Sequence, residues 1–169
     1  MGVYGSAAKA GVIAGLAAGA IASTWSYYSV HVTLPIIKEA IMEQMRKAGA
    51  PVTPELVERI MSFTVMSATI GALIGAVIIG VLFGLFLVMF VRKLKYTWPI
   101  RGLIVGAIVY IVMMSFSSVA SAMWGSQYAE IRAKLGWLSL AEYVVGIVEY
   151  MTYGLIYAYL IERWVERRQ

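Results

Sequence analysis

Long apolar stretches alternate with short polar segments along this chain. Four of the stretches are almost free of charged side chains, namely residues 7–28, 63–91, 100–124 and 137–161. A helix needs about 20 apolar residues to cross the hydrocarbon core of a bilayer, and each stretch is longer than that. The pattern therefore predicts an all-α, polytopic protein whose residues 1–169 form one membrane domain, a bundle of four transmembrane helices.

The segment between the first two apolar stretches has a different pattern. Within residues 29–62, Ile37, Ile41 and Met45 recur every four residues, and charged side chains lie on the opposite face. Apolar residues at this spacing are typical of an amphipathic helix. Together with the start of the next helix it predicts a helical hairpin at residues 33–62, outside the membrane; the alternative is an interfacial helix over residues 34–48 that lies on the lipid headgroups.

Capping residues predict where the two helices of this hairpin begin and end. Thr33 and Pro35 indicate the start of the amphipathic helix, and Gly49 follows its predicted end. Thr53 is followed directly by Pro54, which is favoured at the first position of a helix. The second transmembrane helix is therefore expected to begin well before its apolar stretch.

Basic residues predict the orientation of the helices. The turn between the second and third stretches has no acidic residue and contains Arg92, Lys93, Lys95 and Arg101. The last part of the chain adds Arg163, Arg167 and Arg168. Because Lys and Arg accumulate in cytoplasmic loops, we expect a cell-membrane protein with its N- and C-termini in the cytoplasm.

The amino-acid composition indicates which kinds of molecule the protein contacts. Hydrophobic residues make up 61% of the 169 residues and charged residues 14%, which fits a lipid environment better than water. The net charge of +5 does not indicate nucleic acid, because the basic residues flank apolar stretches instead of forming one patch. The expected partners are the lipid bilayer and either further copies of the chain or a larger membrane complex.

Several residue types are absent or rare. The sequence has no Cys, no Asp, no Asn and a single histidine, His31. We therefore expect no metal site and no bound cofactor, and catalysis is disfavoured; a lipid-modifying enzyme remains the enzymatic alternative. The absence of Asn, Asp and Cys favours a hyperthermophilic source.

Glycines recur at regular spacing in the first two stretches. They are Gly11, Gly15 and Gly19 in the first and Gly71, Gly75, Gly80 and Gly84 in the second. Small residues at four-residue spacing let helix backbones approach closely, so we expect these helices to pack on each other or on a second copy. Gly102 and Gly106 repeat the spacing in the third stretch, which indicates a weak parallel duplication.

Glu149 is the most informative polar residue, since it lies near the middle of the fourth stretch. A charged carboxylate is costly at this depth, so we expect a protonated acid that shares a hydrogen bond with a tyrosine. Tyr153 follows at i+4, Tyr150 is adjacent, and Tyr110 lies at similar depth in the third stretch. Glu142 is one heptad earlier, on roughly the same face.

Two functional hypotheses follow from these residues. In the first, the protein is a carrier or channel for a proton, cation or small solute, and Glu149 with its tyrosine neighbours binds the transported species. In the second, it is a non-catalytic accessory or assembly subunit of a larger membrane complex, and Glu149 only fixes helix packing.

Overall fold

The regular secondary structure of the protein is helical. The computed structural model describes residues 2–49, 53–124 and 135–166. In these ranges, helices α1 to α4 comprise Val3–Lys47, Pro54–Lys93, Trp98–Trp124 and Gly136–Ile161, and a π-helical turn, Glu162–Glu166, continues α4. All four α-helices are long and apolar enough to span a membrane, which confirms the number of such helices predicted from the sequence.

Helix α1 is longer than predicted. The prediction of a separate helix beginning at Thr33 and Pro35 was wrong, because α1 runs unbroken through both positions. Thr33 does not cap a helix: its buried hydroxyl donates to the Ser29 carbonyl oxygen at 2.9 Å, one turn earlier. Proline in a helix interior costs about 3 kcal/mol, yet α1 continues across Pro35 without a break.

Helix α2 begins where the capping residues predict. The Thr53 hydroxyl accepts a hydrogen bond from the Leu56 amide at 3.4 Å, and Pro54 is the first helical residue. Gly49 lies just past the end of α1 with φ +68°, a left-handed conformation that glycine adopts without strain. These three predictions are confirmed.

The helices alternate in direction where they cross. Gly11 of α1 lies against Gly80 of α2, and Ala7 lies against Gly84, so these helices are antiparallel. Helices α3 and α4 are antiparallel as well. Helix α1 also packs on α4, whereas α2 and α3 make only marginal contact. We call the end of the bundle that holds Val3 the terminal end, and the opposite end the far end.

Glycines allow both antiparallel pairs to approach closely. A methyl group at Gly80 would lie 2.6 Å from the Gly11 carbonyl oxygen and 2.9 Å from the Gly15 Cα. Gly154 of α4 makes the equivalent close approach to Gly102 and Gly106 of α3. Each antiparallel pair thus crosses at the same arrangement, in which one glycine of one helix faces two glycines, four residues apart, of the other.

Buried side chains concentrate at the terminal end. The core contains alanines of α1, valines of α2 and α3, and tyrosines of α4, among them Ala7, Ala10, Ala14, Val88, Val91, Val105, Tyr153 and Tyr157. At the same end, Arg101 of α3 pairs with Glu166 beyond α4, with 2.6 Å between Nη1 and Oε1. The terminal end is therefore the tightly packed part of the described structure.

Candidate functional site

A cavity of about 280 Å³ lies between the four helices, at the edge of the buried core. Its wall contains residues from every helix, and α2 contributes half of them. They are Ala18, Ala22, Gly71, Ala72, Gly75, Ala76, Ile79, Gly80, Val109, Glu149, Tyr150 and Tyr153. Most of these residues are Gly or Ala, so the space exists because α1 and α2 lack large side chains here. We call it the central cavity.

Glu149 is the one charged residue among the described residues that line the central cavity. It lies midway along α4, and its side chain is half-buried. Glu149 takes part in neither of the ion pairs Glu43–Lys47 and Arg101–Glu166. A carboxyl group without a cation beside it has to take up a proton or bind a cation to avoid the cost of a buried charge.

Tyr153, one of the tyrosines considered as a hydrogen-bond partner of Glu149, does not bond to it. Its hydroxyl donates to the Gly80 carbonyl oxygen of α2 at 2.8 Å, and the hydroxyl of Tyr157 donates in the same way to Gly84. The two rings stack with 5.8 Å between their centroids. Gly80 and Gly84 have no side chain to cover their carbonyl oxygens, which is why tyrosines of α4 can reach them.

The other predicted polar residues are divided between the cavity wall and its surroundings. Tyr150 lines the central cavity, and the ring of Tyr110 lies beside it with 6.1 Å between centroids. Tyr110 itself is outside the wall and packs near Gly146 of α4. Glu142 is half-buried and also outside the wall. The structure therefore brings Glu149, Tyr150 and Tyr153 together and separates Glu142 from them.

Gly71 and Gly75 do not pack against another helix of this chain; packing on a second copy, the predicted alternative, stays a prediction. A methyl group on either would meet no atom within 4 Å, whereas one on Gly80 would collide with α1. At 100° per residue, the step of five residues between Gly75 and Gly80 turns the glycine face by about 140°. The first glycine pair thus lines the central cavity beside the gap between α2 and α3, while Gly80 and Gly84 face α1.

Gly19 of α1 also packs against α2. A methyl group there would lie 3.1 Å from the Ala76 side chain and 3.0 Å from that of Leu73. Sequence reasoning missed the alanines that line the central cavity, of which Ala18, Ala22, Ala72 and Ala76 are examples. Their four-residue spacing on each helix is the signal that would have found them.

No metal-binding cluster is present in residues 2–49, 53–124 and 135–166, where no three His, Asp or Glu side chains lie together. The central cavity contributes one carboxyl group and two phenols, a set suited to binding a proton or a small cation. No family model, no curated protein and no solved structure matches this chain.

Proposed function

We propose that α1 to α4 cross a lipid bilayer, with both termini in the cytoplasm. Large apolar side chains on the outside of the bundle support this, since Phe86 of α2 is 80% exposed and Phe116 of α3 is 69% exposed. A soluble protein rarely leaves so much contiguous apolar surface in water. The orientation rests on the basic residues at the terminal end, such as Arg92 and Arg163.

Two of the helices are too long for the membrane alone. With 45 and 40 residues, α1 and α2 measure about 68 Å and 60 Å at 1.5 Å per residue, while the hydrocarbon core is about 30 Å thick. In the proposed orientation their far ends form an antiparallel pair that extends beyond the outer membrane surface. The central cavity then lies at membrane depth.

The function that this geometry supports best is a carrier for a proton or small cation. The observation behind it is Glu149, a carboxyl group that has no cation beside it and lines a cavity between four apolar helices. Uptake of a proton or cation removes the cost of the isolated charge, and release restores the empty site. At about 30 Å³ per water molecule, the cavity has room for a partly hydrated ion.

Tyrosines of α4 close the central cavity on the side that faces the terminal end. Tyr153 and Tyr157 bridge α4 to α2 on the terminal side of Glu149, and the buried core lies beyond them. The gap between α2 and α3, beside Gly71 and Gly75, is the route by which an ion reaches Glu149. Release toward the terminal end requires the two tyrosine hydrogen bonds to open.

Proton flux into liposomes tests the proposal. The purified protein is reconstituted with a pH-sensitive dye inside the vesicles, the membrane potential is clamped, and the outside is acidified. We expect the wild-type protein to acidify the interior, and Glu149→Gln to reduce its rate at least tenfold. Gly75→Leu should also block flux, because Gly75 lines the cavity and a Cβ added there would meet no atom within 4 Å.

Two control variants separate these effects from general damage. Glu39→Gln removes an exposed carboxyl group outside the cavity, and Gly136→Leu adds a leucine at another open glycine. Both should keep the wild-type rate. Wild-type flux of protons, sodium and potassium at the level of empty liposomes would refute the carrier, as would full activity of the Glu149→Gln variant.

The outer part of α3 favours a second candidate, an accessory subunit of a larger complex. Exposed residues lie all around this part of α3. They include Ile111, Ser115, Phe116, Ser118 and Val119. A protein partner that covers it would bury polar and apolar side chains together. Native mass spectrometry of the protein extracted from its own membrane distinguishes the candidates, because a fixed ratio to larger subunits would identify an accessory subunit.

A further inference from the structure

A second and larger concavity, about 980 Å³, lies between the far ends of α1 and α2. One wall comes from α1, between Tyr27 and Lys38, and the other from α2, between Glu58 and Ile70. At 1.5 Å per residue, each wall is about 17 Å long. We call this concavity the outer groove, and it shares no lining residue with the central cavity.

The outer groove has a polar end and an apolar end. Because α1 and α2 are antiparallel, Lys38 and Glu58 both lie at the end farther from the bundle core, and Val65 and Ile70 lie at the nearer end. The side chains of Lys38 and Glu58 are exposed, and among the described residues neither forms an ion pair. The groove thus has one positive and one negative group at its outer end and apolar side chains at its inner end.

Pro35 adds a hydrogen-bond acceptor to this wall. Proline has no backbone N–H, so the carbonyl group of His31, four residues earlier, lacks its usual helical donor. Both residues line the outer groove. Helix carbonyl groups point toward the C-terminal end, and in α1 that is the direction of Lys38. A ligand with an N–H donor near its charged group would satisfy this acceptor.

The geometry points to a single phospholipid with a primary ammonium headgroup, of the phosphatidylethanolamine class, as the occupant of the outer groove. Its phosphate pairs with Lys38, its ammonium group pairs with Glu58 and donates toward the His31 carbonyl, and an acyl chain follows Val65 and Ile70 toward the membrane. This placement fits the proposed membrane position, in which the groove lies at the outer surface of the bilayer.

Charge and hydrogen-bonding capacity favour this headgroup over the alternatives. A purely anionic headgroup would bring its negative charge next to Glu58, which is unfavourable. A quaternary ammonium headgroup carries the right charges but has no N–H to donate to the His31 carbonyl. An apolar helix from a second copy would cover both charged groups without pairing either, at a cost that burial of apolar surface would have to offset.

Lipid retention tests this inference. The full-length protein is reconstituted in nanodiscs that contain equal amounts of phosphatidylethanolamine, phosphatidylcholine and phosphatidylglycerol. It is then moved into mild detergent, and the retained lipids are identified by native mass spectrometry. We expect one phosphatidylethanolamine per chain, retained about tenfold over the other two lipids, which corresponds to about 1.4 kcal/mol.

Variants at the polar end should abolish this preference. Lys38→Gln and Glu58→Gln should each reduce retention of phosphatidylethanolamine about tenfold, and Val65→Trp should reduce it by filling the apolar end. Lys47→Gln and Glu55→Gln, outside the groove, should retain the lipid as the wild-type protein does. Circular dichroism shows whether each variant keeps its helical content.

Three results would overturn the inference. They are equal retention of the three lipids by the wild-type protein, unchanged retention by Lys38→Gln and Glu58→Gln together, and a homodimer mass in place of a lipid adduct. Since none of these measurements involves Glu149, a failure here leaves the carrier proposal standing, and the loss of proton flux leaves the lipid site standing.

Discussion

Gly80 and Gly75 of α2 provide a matched pair for testing which glycines set the helix packing. The same substitution, Gly→Ala, is made at two positions five residues apart in one helix. At Gly80 the new methyl group would lie 2.6 Å from the Gly11 carbonyl oxygen and 3.2 Å from the Tyr153 ring, whereas at Gly75 it would meet no atom within 4 Å. We expect Gly80→Ala to lower the stability of the fold and Gly75→Ala not to lower it.

The size of the effect follows from these distances. The contact at Gly80 is 0.8 Å shorter than the 3.4 Å at which ordinary van der Waals contact begins, so α1 and α2 have to separate and the Tyr153 hydrogen bond weakens. Overpacking a tight contact costs about 1–3 kcal/mol. Alanine is favoured over glycine in a helix by up to about 1 kcal/mol. Gly80→Ala should therefore lower the free energy of unfolding by about 1–2 kcal/mol, and Gly75→Ala should leave it unchanged or raise it.

Unfolding in mixed micelles provides the assay. Sodium dodecyl sulfate is titrated into protein held in a mild detergent, and the loss of helix packing is followed by tryptophan fluorescence. The free energies of unfolding of both variants are compared with that of the wild-type protein. If Gly80→Ala is as stable as Gly75→Ala, the close approach of α1 and α2 at Gly80 does not stabilise the fold and the reasoning is refuted.

Three further predictions concern polar contacts. Tyr157→Phe removes the hydrogen bond from α4 to α2 and should lower the free energy of unfolding by about 0.5–1.5 kcal/mol in the same assay; an unchanged value would contradict the bond. Glu166→Gln removes one charge of the largely buried pair with Arg101 and should speed amide hydrogen exchange in the first turns of α3, while exchange in α2 stays constant as the control. The Lys47 ammonium group, by its hydrogen bond and charge, holds the pKa of Glu43 below its ordinary value. This pair therefore stabilises the helix at pH values above the ordinary carboxyl range, and the stabilisation is lost as the pH falls through the lowered pKa. Lys47→Gln should raise the Glu43 pKa toward normal in an NMR titration, and an unchanged pKa would argue against the pair.

Local signals predicted the helices and several of their ends. Apolar length alone identifies four helices, and the cap at Thr53, the first-turn Pro54 and the left-handed Gly49 were predicted because each depends on neighbours within one turn. The predicted break at Pro35 was wrong: α1 continues for twelve residues beyond it, so the local cost of proline does not decide where this helix ends.

Contacts between helices were predicted less well. Tyr153 was one of three tyrosines considered as a hydrogen-bond partner of Glu149, yet its hydroxyl reaches the carbonyl oxygen of Gly80, which is 73 residues away. Spacing shows which residues share a face of one helix, and it does not show which helix that face meets. Gly71 and Gly75 illustrate this point, since their regular spacing is real but they face a cavity.

The carbonyl oxygens of Gly80 and Gly84 also indicate an order of assembly. Helices α1 and α2 are consecutive, so their glycine crossing can form as soon as both helices have left the ribosome. That hairpin already presents the two acceptors that Tyr153 and Tyr157 later use. We therefore expect α4 to dock after the first half of the chain has paired, and a truncated hairpin to insert and pair without the second half.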